Sequence, residues 1–146
     1  MRCGTIRHGI GLWLKTESGN IGKLSKRDVF ERGRLIMKIS ELAEKLDLRV
    51  AAGADGLENQ AEGCYIGDLM SLAMARVQEN NVWITIQTNL NVVAVAALSE
   101  AGCVILADGF SPDDNAAAKA DAEGIPILCS GRSAYELARE LGALGI

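Results

Sequence analysis

The sequence is poor in several residues that enzymes and nucleic-acid binders commonly use. Aromatics make up 4% of its 146 residues, so platforms for stacking a base or sugar are few and the core must be built from Ala, Val, Ile and Leu. Its one histidine is His8, which excludes a Ser-His or Cys-His pair and an imidazole metal ligand from the rest of the chain. The four cysteines, Cys3, Cys64, Cys103 and Cys129, contain no C-x-x-C pair. A chain of this size needs no disulfide staples, so reduced thiols and a cytoplasmic location are expected.

Charge is absent from Asn80 to Ser99. The polar run Gln87-Thr88-Asn89-Leu90-Asn91 within that stretch argues against a membrane span, because each polar group would lose its water in hydrocarbon. "GIGLWL" is too short for a secretion signal and is followed by Lys15 and Glu17. A phosphate-binding G-x-x-x-x-G-K-[ST] loop is also missing. The Gly22-Lys23 pair has Glu17 in place of the first glycine and Leu24 in place of Ser or Thr, and no G-x-G-x-x-G follows a strand. Phosphoryl transfer depends mostly on positioning, so without that loop a phosphotransferase is not expected.

The length suits one compact domain, yet charge divides the chain at Met37. Residues 1–36 carry eight Lys or Arg against three Asp or Glu, a balance of +5, whereas residues 37–146 carry seven against sixteen, a balance of −9. The first part has scattered basic residues and no long periodic apolar pattern, so it is expected to be a poorly ordered extension. Met37 is a candidate natural start, because codons GAG-AGG-GGN for Glu31-Arg32-Gly33 would spell a ribosome-binding site just upstream; a basic tail is the alternative. With Trp13 and Phe30 as its only aromatics and an acidic module attached, the extension makes a poor nucleic-acid footprint.

From Met37 the pattern is regular. Ser40 can cap a helix over 40–46, "LRVAAG" reads as a strand, "AEGCYIGD" as a second strand, and Asp68 can cap a helix over 68–78. Three units then repeat one rhythm: "VWITIQ" before a helix at 90–101, "CVILAD" before one at 112–123, and "IPILCS" before one at 133–142. Strands apolar on both faces that alternate with helices belong to a covered parallel sheet with right-handed crossovers. The expected fold is α/β, a mainly parallel sheet of about five strands with helices on both faces. Ser111-Pro112-Asp113-Asp114 supplies an N-cap, a first-position proline and two carboxylates at the positive end of the helix dipole, and Ser133 with Glu136 has capping-box spacing.

The blocks "MKISELAEKLDLRVAAGADGLENQ", "CYIGDLMSLAM", "VWITIQTNLNVVAVAAL", "VILADGFSPDDNAAAKADAEGIPIL" and "SAYELARELGALGI" resemble a stand-alone DRTGG-domain protein over residues 37–146. The resemblance implies an α/β module also found in the middle of long phosphotransacetylases and beside CBS domains, and related to the N-terminal domain of HPr kinase/phosphorylase. The role implied is regulatory, without catalysis. Stand-alone members often carry a serine-kinase label through that relationship, and some are encoded near iron-only hydrogenase genes. Where relatives commonly have Gly-Gly after the fourth strand, this chain has Asp108-Gly109, and a carboxylate there would repel an anionic ligand.

Ligands of open parallel sheets bind beyond the carboxyl ends of the strands. Those ends carry Asp68, Thr88, Asn89, Asn91, Asp108 and Ser130, which are the candidate ligand-binding residues. Most also have a bland role as a cap or turn former, but one cap suffices for one helix, so Gln87 and Asn91 are left unexplained by it. Cys103 and Cys129 read as buried small apolar residues. No catalytic residue, cofactor or metal is expected, since Asp113 and Asp114 on a first helical turn point in different directions. The expected function is a non-catalytic module that binds a small ligand, such as a nucleotide or metabolite, or a partner protein. A structural subunit of a redox enzyme such as an iron-only hydrogenase is the alternative. The alanine-rich faces of the helices at 90–101 and 114–123 and the apolar end "LGALGI" suggest a homodimer.

Overall fold

The computed structural model describes residues 13–15, 21–23 and 36–146. The chain forms two compact units, Met1–Arg34 and Leu35–Ile146. In the first, β1 (Trp13–Lys15) pairs antiparallel with β2 (Ile21–Lys23). The expected poor order of the rest of residues 1–35, and Cys3, lie outside the described residues.

The second unit runs β3 (Met37–Lys38), α1 (Ile39–Lys45), β4 (Arg49–Ala52), a short 3-10 turn (Ala54–Gly56), β5 (Gln60–Ala61), β6 (Cys64–Ile66), α2 (Met70–Arg76), β7 (Val82–Thr85), α3 (Leu90–Leu98), β8 (Cys103–Leu106), α4 (Asp114–Glu123), β9 (Ile127–Cys129) and α5 (Ala134–Ala143). Five strands form one sheet in the order β4-β9-β8-β7-β6. The pairs β6–β7, β7–β8 and β8–β9 are parallel, whereas β4 joins β9 antiparallel. The expected second strand divides into β5 and β6; between them lies Gly63, at φ 75. β5 pairs with β3 in a two-stranded sheet of its own.

The central strands are buried on both faces, as their unbroken apolar runs require. Alternate residues face opposite layers. Trp83, Val104, Leu106, Ile127 and Cys129 meet Ala73 and Val77 from α2 and its end, Val92, Val93, Val95 and Ala96 of α3, and Ala116 and Ala120 of α4. Val82, Ile84, Cys103, Ile105 and Leu128 meet Ile39, Leu42 and Ala43 of α1 and Leu137 and Leu141 of α5. Helices therefore cover both faces of a mainly parallel sheet. Each fully buried Leu or Ile in these layers contributes about 2 kcal/mol of transfer free energy.

The small-residue faces of α3 and α4 pack against each other, and Leu144 and Ile146 at the end of the chain pack on the α1–α5 core. These surfaces are thus used within one chain, and they no longer argue for a dimer. Among the described residues no helix is long and apolar enough to cross a membrane.

Candidate functional site

Because β6 to β9 are parallel, their carboxyl ends share one rim. Reversal of β4 adds its amino end to that rim, opposite Cys129, through the register Arg49↔Cys129. Sequence reasoning missed Arg49, since nothing local to "LRVAAG" states its direction.

At the β6–β7 end, the polar groups are turned toward one another. Asn89 is the N-cap of α3: its side-chain oxygen accepts from the Asn91 backbone N–H at 3.0 Å, and its amide donates to Gln87 Oε1 at 3.2 Å. The Thr88 carbonyl accepts from the Asp113 N–H at 3.0 Å, which ties this turn to the start of α4. Asp68 does not cap α2, whose N-cap position is Leu69 without a side-chain bond. Its carboxylate instead accepts from Thr85 Oγ1 at 2.8 Å and from the Ile86 N–H at 3.0 Å, which fastens the loop after β6 to the end of β7. Trp83 Nε1 adds a bond to the Gly67 carbonyl at 2.9 Å. Thr85 is buried, and Asp68 supplies the partner its hydroxyl needs.

The β4–β9–β8 end is open. A cleft of about 500 Å³ is lined by Asp47, Arg49, Gly109, Phe110, Cys129, Ser130, Gly131 and Arg132. Of the six sequence candidates only Ser130 lines it; Asp108 borders it through Gly109, while Asp68, Thr88, Asn89 and Asn91 belong to the closed end of the rim. Ser130 is buried, and its oxygen accepts from both the N–H and Nε of Arg132, at 3.1 and 3.2 Å. Arg132 is further held by Glu140 and by the Leu46 carbonyl, so its guanidinium is a fixed strut across the cleft floor. Arg49 differs. Its guanidinium bonds Ser111 Oγ at 2.9 Å, and among the described residues it forms no ion pair. Ser111 is therefore an arginine's partner and not the cap of α4, whose N-cap position is Asp113.

Asp108 and Gly109 both occupy left-handed backbone, at φ 55 and 78. This is conformational territory that two glycines would enter without strain, and Asp is among the few residues that tolerate it. Their N–H groups donate to the Arg132 and Ser130 carbonyls, each at 2.9 Å. The loop's amides are committed to closing the turn, so a ligand here must be met by side chains. Burial raises the Cys129 thiol above its ordinary 9.0, while Arg49 and Ser111 pull it back; burial also raises Cys103. Both are thiols at neutral pH, a poor state for a nucleophile. Among the described residues no three His, Cys, Asp or Glu side chains converge to hold a metal.

A comparison with curated proteins finds no match. Among solved structures, the chain is similar to the CBS and DRTGG domains of the regulatory region of Clostridium perfringens pyrophosphatase, complexed with its activator diadenosine tetraphosphate, at TM-score 0.54 and 10% identity. The match covers 88% of this chain and 61% of that one, and at that identity it speaks for the fold alone. The DRTGG-domain family model matches residues 41–144, which takes in both core layers, all five strands of the main sheet and both ends of the rim, and the chain belongs to the DRTGG-domain family.

Proposed function

We propose that residues 37–146 form a non-catalytic regulatory module that binds a phosphate-bearing small molecule, with nucleotides as the leading class, in the cleft between β4, β9 and β8. The observation that carries this reading is Arg49, an exposed guanidinium oriented by Ser111 at the mouth of a cleft of suitable size. Phe110, half-exposed on the same wall, offers a stacking face in a chain with few aromatics. Ser130 lies on the floor and Asp108 at the border, where its carboxylate would favour ligands that keep their phosphates on the Arg49 side. Thr88, Asn89, Asn91 and Asp68 shape the neighbouring rim. A regulatory region of related fold that is complexed with diadenosine tetraphosphate supports the regulatory role and chooses the first probe. The module is proposed to act in the cytoplasm.

Titration calorimetry with diadenosine tetraphosphate, ATP and AMP tests the reading. Binding by at least one is expected, and Arg49→Ala should weaken it about tenfold, the loss of one charge-assisted contact, while Asn89→Ala leaves affinity unchanged. No heat and no thermal shift with any of the three would instead favour an interaction subunit.

A further inference from the structure

The two outer strands of the main sheet are protected to different degrees. β4 is irregular, with a register shift between Val50 and Ala52, and it carries Arg49; bulges and charges of this kind keep a strand edge from pairing with another chain. β6 has neither device. From Gly63 to Ala75 the only charge is Asp68, whose carboxylate is bonded within the chain. This same stretch exposes Ile66 at 46%, Leu69 at 64%, Leu72 at 45% and Met74 at 54%.

The backbone shows what the β6 edge can accept. The Gly63 carbonyl takes the Val82 N–H, and the Gly67 N–H donates to the Ile84 carbonyl. In a strand these directions alternate, so the groups of Tyr65 also face β7, and the N–H and C=O of Cys64 and Ile66 point away from the sheet. Two outward residues flanking Tyr65 make a self-complementary edge. About a two-fold axis through Tyr65, Cys64 of one copy stands opposite Ile66 of the other, and both pairs exchange two hydrogen bonds in antiparallel geometry.

We propose that a second copy of this chain docks on the β6 edge, joining two five-stranded sheets into one of ten strands, with the apolar outer side of α2 closing over the junction. Electrostatics selects this occupant. The module carries a balance of −9, so most faces would bring carboxylates onto carboxylates in a self-contact, whereas this face brings almost no charge. Cys64 meets Ile66 across the axis, so the contact needs no disulfide. The inference is independent of the cleft and of its ligand.

Light scattering on the full chain, from micromolar to hundred-micromolar concentration, tests it. The expected mass is twice 15.5 kDa, with Ile66→Lys raising the dissociation constant at least about tenfold. Met74→Glu on α2 should act the same way, and Val50→Lys on the β4 edge should leave the dimer intact. Hydrogen exchange gives a reading without substitution: the Cys64 and Ile66 amides should be protected in the dimer and lose protection on dilution, while the Tyr65 and Gly67 amides keep it. A monomer at every concentration, or a dimer that both β6-side variants leave unchanged while they remain folded by circular dichroism, overturns the proposal.

Discussion

The β4 and β6 ends of the sheet are built from similar materials, short strands followed by glycine turns, but they are held in opposite ways. At the β4 end the backbone is pressed against its neighbours: Gly53, at φ 70, donates to Asp121 Oδ1 at 2.6 Å and leaves no room for a side chain, since a Cβ there would lie 1.9 Å from the Ile125 carbonyl oxygen. At the β6 end the atoms nearest a Cβ on Gly67 belong to the Tyr65 side chain, with the hydroxyl at 2.7 Å. Backbone contacts cannot move aside and side chains can. The carboxyl end of β4, on the rim opposite the cleft at Arg49, is therefore rigid, while the β6 end is plain and adaptable, as a docking edge should be.

Substitutions at the two glycines would break this contrast most directly. Gly53→Ala is expected to destabilise the protein by about 3 kcal/mol, combining a backbone clash with a left-handed φ. Gly67→Ala should cost about 1 kcal/mol or less, because Tyr65 can swing away. Urea midpoints at constant slope would measure both; equal costs would show that the two ends are equally rigid. Asn89→Ala, which deletes the cap of α3 at the closed end of the rim, is expected to cost a comparable amount, about 1 kcal/mol.

The smallest effect concerns pH. Hydrogen bonds from the Ser133 N–H and hydroxyl, at 2.9 and 2.8 Å, hold the Glu136 carboxyl below its ordinary 4.5. A depressed carboxyl stabilises the fold above its unfolded value and loses that contribution as pH falls through the folded one, so the capping box of α5 should be at full strength above pH 4.5 and fade below it. Glu136→Gln should flatten this acid-side part of the stability curve, read from urea midpoints on either side of pH 4.5.

Much of this was legible residue by residue. Ser133 and Glu136 form their capping box, Asn89 caps α3, and the apolar runs of β7, β8 and β9 are buried on both faces, because caps and periodicity act within one turn or one strand. Asp68 and Ser111 depart from the caps their positions suggest for the same reason in reverse: each sits near a helix start in sequence but finds a better partner from another element, Thr85 for one and Arg49 for the other. The strand-end positions of the candidate residues follow from the sequence, but the division of their rim into a closed end and an open one does not.

The sequence by itself determined the α/β class, the two apolar faces of the strands and the helix starts after Thr88-Asn89 and at Ser133, which follow from spacing and local hydrogen bonding, while its blocks carried the resemblance to the DRTGG family. Only the tertiary structure decided that β4 runs against its neighbours, so that Arg49 reaches the cleft, and that the backbone groups of Cys64 and Ile66 face outward. Strand direction and edge exposure depend on which elements meet in space, and contacts between distant segments leave no periodic trace in the chain.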